Sequence, residues 1–150
     1  MALSQKDLIG AWTFESAVEV FDDGERRPEF GPHAAGYLSY SPNGIVLAVL
    51  GNMERPRSGA TDPQRASDAQ LVHMAQGFIA YAGPFTVDSD SGTVTHHIEV
   101  ALFTDWQGAP QERSVRIEGD RLSIIGSPRT APDERRFHVE LEWQRCSRKQ

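Results

Sequence analysis

The chain has 150 residues, 39% hydrophobic and 24% charged, with a net charge of −6. That length supports one domain over residues 1–150, burying roughly 70% of its unfolded-chain surface. The acidic balance leaves no basic footprint for phosphate, which excludes nucleic acid and anionic membranes as partners. The single cysteine, Cys146, excludes an intrachain disulfide and any CxxC site, and fits a reducing, cytoplasmic compartment. MALSQKDLIG lacks a charged start followed by a long apolar run, so no leader is expected. The longest apolar run, residues 45–50, is too short to span a bilayer.

In chain order, Trp12, Phe14, Ser16, Val18 and Val20 alternate with Thr13, Glu15, Ala17 and Glu19, as a half-buried strand requires. Asp22-Asp23-Gly24 is a turn, and residues 26–35, with Pro28, Gly31 and Pro32, form a loop. Residues 36–40 and 45–50 read as two strands joined by Ser41-Pro42-Asn43-Gly44, a hairpin signal. Asp62-Pro63 has the form of an N-cap followed by proline at the first helical position, and good helix formers run from 64 to 76 before Gly77. That predicts one mid-chain helix. Residues 78–87 form a strand with Ile79, Tyr81, Phe85 and Val87 on one face.

The next stretch, TVTHHIEVALFTDW from Thr93 to Trp106, is the most informative. Read as a strand, it puts Val94, His96, Ile98, Val100 and Leu102 in one row and Thr95, His97, Glu99, Ala101 and Phe103 in the other. The first row is the more apolar, so His96 is expected to point inward, with His97 and Glu99 as neighbours on the opposite face. Asp88, Asp90 and Glu99 stand at offsets like those of a calcium loop. The glycine comes one position early and a ligand is missing, so a polar turn is expected instead. Residues 113–118 and 121–125 pair across Gly119-Asp120, and Phe137, Val139, Leu141 and Trp143 alternate cleanly in a last strand. The termini, 1–6 and 147–150, read as frayed. Eight strands with short turns and one helix predict an all-β fold, an eight-stranded antiparallel up-and-down barrel, with a two-sheet sandwich as its rival.

Several fragments, in order, carry a resemblance. They are Leu8-Ile9-Gly10-Ala11-Trp12, Phe30-Gly31-Pro32, the run from Gly36 to Gly44 (GYLSYSPNG), Phe78-Ile79-Ala80-Tyr81-Ala82-Gly83, Thr93 to Glu99 (TVTHHIE), Leu102-Phe103, Trp106 and Gly119-Asp120-Arg121-Leu122. Over nearly the whole chain this set resembles the bacterial and fungal lipocalin-like domain proteins. The resemblance implies a small β-barrel around a cavity, in a family whose members are mostly uncharacterised. Barrels related by shape alone serve natural-product pathways as cyclases or isomerases. Gly10-x-Trp12 is similar to the lipocalin Gly-x-Trp signature, which implies a cation from the last strand over Trp12, with Arg145 the matching residue. His33, after Pro32, departs from the familiar pattern and could alter which ligand fits if it lies at the mouth.

Histidine donates and accepts protons near neutrality, which makes His96, His97 and Glu99 the candidate acid/base groups. Tyr40 and Tyr81 combine flat apolar bodies with polar tips, Trp106 stands just past the strand end, and Arg113 could clamp a carboxylate. These seven residues are the candidate ligand contacts. Each also has a plainer reading in core packing or surface exposure. His97 and Glu99 provide only two ligands on one face, so no metal is expected, and no motif for a cofactor, nucleotide or nucleophilic triad is present. The first functional reading is a barrel that binds a small, mostly apolar ligand. A cofactor-independent isomerase, cyclase or hydratase using a histidine is the alternative. A barrel filled by its own side chains, serving as a structural or partner-binding domain, is the third. Exposed strand faces also leave a homodimer open, and whether there is a reaction is not decided by the residues alone.

Overall fold

The computed structural model describes residues 2–147. Eight strands close a barrel: β1 (Gly10–Phe21), β3 (Ala34–Tyr40), β4 (Ile45–Asn52), β5 (Phe78–Asp88), β6 (Thr93–His97), β8 (Pro110–Glu118), β9 (Arg121–Gly126) and β11 (Arg136–Arg145). Each pairs antiparallel with the next, and β11 returns to β1 from Trp12↔Arg145 to Phe21↔Phe137. Closure satisfies the main-chain groups that an open sheet would leave on its edges. Three short strands decorate the rim: β2 (Arg26–Pro28) on β1, β7 (Val100–Ala101) on β5 and β10 (Arg129–Thr130) on β11.

Two β-bulges interrupt the alternation read from the sequence. In β1, Phe14 faces Trp143 but Ser16 faces Glu142, so Glu15 is an extra residue. Trp12 is buried before the bulge, and Ala17 and Phe21 are buried after it. The expected single row from Trp12 through Val20 therefore changes face midway. Beside β5, Phe85 pairs with His96 and Ala82 pairs with Val100, three steps against four. The expected long strand from Thr93 thus ends at His97 and resumes as β7 with reversed facing. Val94, His96 and Ile98 are buried, whereas Val100 and Leu102 are exposed and leave the inward row assigned to them. The backbone then turns through a short 3-10 helix, Thr104–Trp106.

The barrel has a tight end and an open end. Short turns after β3, β5 and β8 lie at the tight end, and the long connections 29–33, 53–77, 102–109 and 131–135 lie at the other. An unexpected helix, α1 (Gln5–Leu8), lies at the tight end and packs Leu3 and Leu8 into the core, where fraying over 1–6 was expected. Met1 and residues 148–150 lie outside the described residues. The Ser4 backbone and hydroxyl both donate to Asp7 at the start of α1 (2.9 and 3.1 Å). Trp12 is fully buried and donates its indole N–H to the Leu8 carbonyl (2.9 Å). The Arg145 guanidinium lies 4.1 Å from the Trp12 ring and donates to the carbonyls of Ile9 (3.0 Å) and Asp7 (2.9 Å). Arg145→Met keeps the aliphatic stem but removes the cation–π contact and both hydrogen bonds. Urea unfolding should show a loss of about 2–3 kcal/mol.

The mid-chain helix is shorter than expected. Asp62 caps only a 3-10 turn, Pro63–Arg65, through its side chain to Gln64 N (2.9 Å). A second start follows: Ser67 Oγ accepts from Gln70 N (3.2 Å) while the Gln70 side chain accepts from Ser67 N (2.9 Å). This capping box opens α2 (Asp68–Ala75) and breaks the continuous helix read over 64–76. No helix among the described residues is long and apolar enough to cross a membrane.

Candidate functional site

A cavity of about 500 Å³ runs from the open end into the barrel. Leu38, Ala48, Leu50, Ile79, Ile124, Val139, Leu141 and Trp143 form most of its wall. Phe103 and Trp106 stand at the rim with Ser127, Pro128 and the Glu29–Arg129 ion pair (2.7 Å). Burial raises the Glu29 carboxyl's pKa against the pull of Arg129. Trp106 packs edge-on to both Phe103 (5.4 Å) and Tyr81 (6.1 Å), tying the rim to the interior.

The polar groups of the interior gather on β5, β6 and β8. His96 is 1% exposed and sits between two phenols. Its Nε2 is 2.7 Å from the Tyr40 hydroxyl and its Nδ1 is 2.6 Å from the Tyr81 hydroxyl. The strand pleat explains the arrangement. Tyr40, Tyr81 and His96 all occupy inward positions of their strands. Burial, with smaller contributions from Arg113 and His97, pushes the His96 pKa down to about 3, so the imidazole is neutral at ordinary pH. Burial raises both tyrosines, and the Arg113 guanidinium pulls against that rise in each.

A neutral imidazole has one N–H and one lone pair, and here both are engaged. It holds both phenols in place, accepting from one and donating to the other. Tyr81, His96, Trp106 and Arg113 line the cavity, while Tyr40 stands behind His96 and does not. His97 and Glu99 are on the outer face, where His97 Nε2 meets Thr86 Oγ1 (3.0 Å). The structure brings neither of them to the cavity. His33 is exposed beside Glu54 (3.5 Å) and also stands away from it.

Gln111, Glu29, Arg129 and Trp143 join the cavity without having been singled out in the sequence. Gln111 had a legible signal, since it lies two residues before Arg113 and so shares its face. Trp143 reads from alternation as core and serves as both core and wall. Glu29 and Arg129 lie in Pro/Gly-rich segments whose course no periodicity reveals.

A closed antiparallel barrel with a one-mouthed, mostly apolar cavity is the architecture of small-ligand-binding barrels. Residues 9–146 match the model of the lipocalin-like domain, and the chain belongs to that family. The chain is also similar to the 4'-hydroxy-3'-methoxypropiophenone carrier protein ppsC of Aspergillus oryzae, at 34% identity over 64 residues. That match covers 39% of this chain and 58% of the relative, so the chain spans less than two thirds of the protein it matches.

Proposed function

We propose that the protein binds a small, mostly apolar ligand in its barrel cavity and carries it unchanged. The observation that supports this reading best is the cavity itself: about 500 Å³, walled by aliphatic and aromatic side chains, with few polar groups gathered inside. Such a composition suits a ligand that is largely desolvated on entry and oriented by one or two hydrogen bonds. It speaks against a barrel filled by its own side chains. The fungal relative is named a carrier of an aromatic ketone, which makes aryl ketones and phenols of that size the first ligands to test.

Ala48 is buried in the cavity wall. Ala48→Phe should fill part of the space and abolish binding. A ligand at a hundred times its Kd should stabilise the native protein by about 2.7 kcal/mol, raising Tm by about 5–10 °C, and should leave the Ala48→Phe variant unmoved. A Tm unaffected by any phenol or aryl ketone would argue against the reading.

An isomerase, cyclase or hydratase on the same barrel is the second reading, and the Tyr81 hydroxyl beside Arg113 favours it over a histidine mechanism. In that case the phenol, not His96, would supply the proton. Recovery of the bound compound unchanged by mass spectrometry distinguishes a carrier from an enzyme.

A further inference from the structure

We infer that the cavity takes an aromatic phenol and holds it as its anion, with the phenolate oxygen accepting from the Tyr81 hydroxyl and the Arg113 guanidinium. This rests on the reading of the barrel as a small-ligand binder and names the chemistry of the ligand's polar end.

Protons can be counted along the chain. Tyr40, His96 and Tyr81 together carry three: two phenolic O–H and one imidazole N–H. The two hydrogen bonds of the chain use two of them. One proton is left over, and the imidazole tautomer decides which group holds it. If His96 donated from Nε2, the Tyr40 proton would be stranded. Tyr40 is 1% exposed, does not reach the cavity, and has no other hydrogen-bond partner among the described residues. An unsatisfied donor in that position is unfavourable. Tyr40 therefore donates to Nε2, Nδ1–H donates to the Tyr81 oxygen, and the Tyr81 proton is free to point into the cavity that Tyr81 lines.

Arg113 supplies the charge. It lies on an inward position of β8, and Nη1 donates to the neutral amide of Gln111 (3.3 Å). Among the described residues no carboxylate lies within ion-pair distance of it. The one carboxylate on the cavity wall, Glu29, is taken by Arg129 at the rim. The interior thus offers the Tyr81 and Arg113 donors together, the buried indole N–H of Trp143 as a further unpartnered donor on the wall, and a positive charge that Glu29 meets only beyond ion-pair distance. A half-buried guanidinium with no carboxylate in contact favours an anionic oxygen over a neutral one. The aromatic rim, Phe103 and Trp106, favours a ring behind that oxygen. On binding, the ligand's phenolic proton leaves to solvent, while Tyr81 keeps its own.

The test uses the full-length protein with 4-hydroxypropiophenone and its O-methyl ether, at a pH where the free phenol is un-ionised. A phenolate absorbs at longer wavelength than its phenol, so the spectrum reads the bound form directly. The phenol should bind about 10–100-fold more tightly than the ether and show the long-wavelength band. Arg113→Gln and Tyr81→Phe should each lose the band and most of that preference. Ether binding, retained in Arg113→Gln, serves as the control for folding. Equal affinities and a phenol bound without the band would overturn the assignment and leave the binding reading standing. If neither probe binds, both fall together.

Discussion

His96→Leu should lower stability by about 4 kcal/mol, which for a chain of this size is a fall in Tm of about 8–16 °C. The replacement is of similar volume, so the loss is chiefly polar. It strands the Tyr40 hydroxyl behind the cavity wall and takes from the Tyr81 hydroxyl its histidine partner, and an orphaned buried hydroxyl costs about 1–3 kcal/mol. The control is the triple variant Tyr40→Phe/His96→Leu/Tyr81→Phe, which removes every polar atom of the chain at once and should recover most of the loss. A single variant as stable as the wild type would mean that the network is solvated and contributes nothing to stability. The same histidine sets a pH dependence. Its folded-state pKa is about 3, below the ordinary 6.5, so the unfolded chain binds the extra proton between those values. Its stabilising contribution is complete above pH 6.5 and falls as pH drops toward 3, by about 1.4 kcal/mol per unit. Asp23, Asp133 and Glu140 all have lowered pKa values, so their losses begin as pH falls into the ordinary carboxylate range and not above it. Glu29, with its raised pKa, acts with the opposite sign in the same range, so the share of His96 is the part of the difference between urea melts at pH 7 and pH 5 that the triple variant removes.

Gly83→Ala should cost about 3 kcal/mol or more, from a single added methyl. Gly83 lies opposite the bulge that follows His97. A Cβ there would overlap the His97 carbonyl oxygen and stand 2.9 Å from its carbonyl carbon and 3.0 Å from Glu99 N. These are backbone atoms and cannot swing aside, so either β5 parts from the bulge or the bulge is lost. The Glu99 N to Ala82 O hydrogen bond (2.9 Å) lies in the same place and would break with it. Since Tyr81 is two residues away, the substitution should also weaken ligand binding. Chemical denaturation reads the first effect and probe titration the second. Unchanged stability would show that the bulge is loosely held.

Much of the architecture is legible in the residues themselves. The Ser41-Pro42-Asn43-Gly44 turn and the alternation in 137–143 each depend on local chemistry that a short window contains. Eight such strands with tight connections are enough to suggest closure. The inward turn of His96 follows its apolar neighbours Val94 and Ile98, although the row assigned to it breaks before Val100 and left the choice between His96 and His97 open. The bulges are not legible. Glu15 and the residues after His97 look like ordinary strand, and the extra residue exists only relative to the partner strand. The site follows the same division. Tyr81, His96 and Arg113 each fit a strand position that periodicity can assign, but their meeting depends on β5, β6 and β8 lying side by side. The Tyr40–His96–Tyr81 chain joins residues 56 and 15 apart in sequence, which no local pattern connects. The helix breaks at Ser67 because the Ser67–Gln70 capping box restarts it there, a second signal that the Asp62-Pro63 reading passed over.

The contrast between the two ends of the barrel bears on how such a protein can diversify. Short turns, α1, Trp12 and Arg145 hold the tight end, whereas Phe103, Trp106, Ser127 and Arg129 at the mouth belong to connections or brief rim strands. Residues in long surface connections tolerate insertion and exchange far better than residues in a closed ladder. Descendants of this scaffold can therefore exchange the vestibule through which a molecule enters while inheriting the foundation intact, so that ligand choice drifts faster than fold.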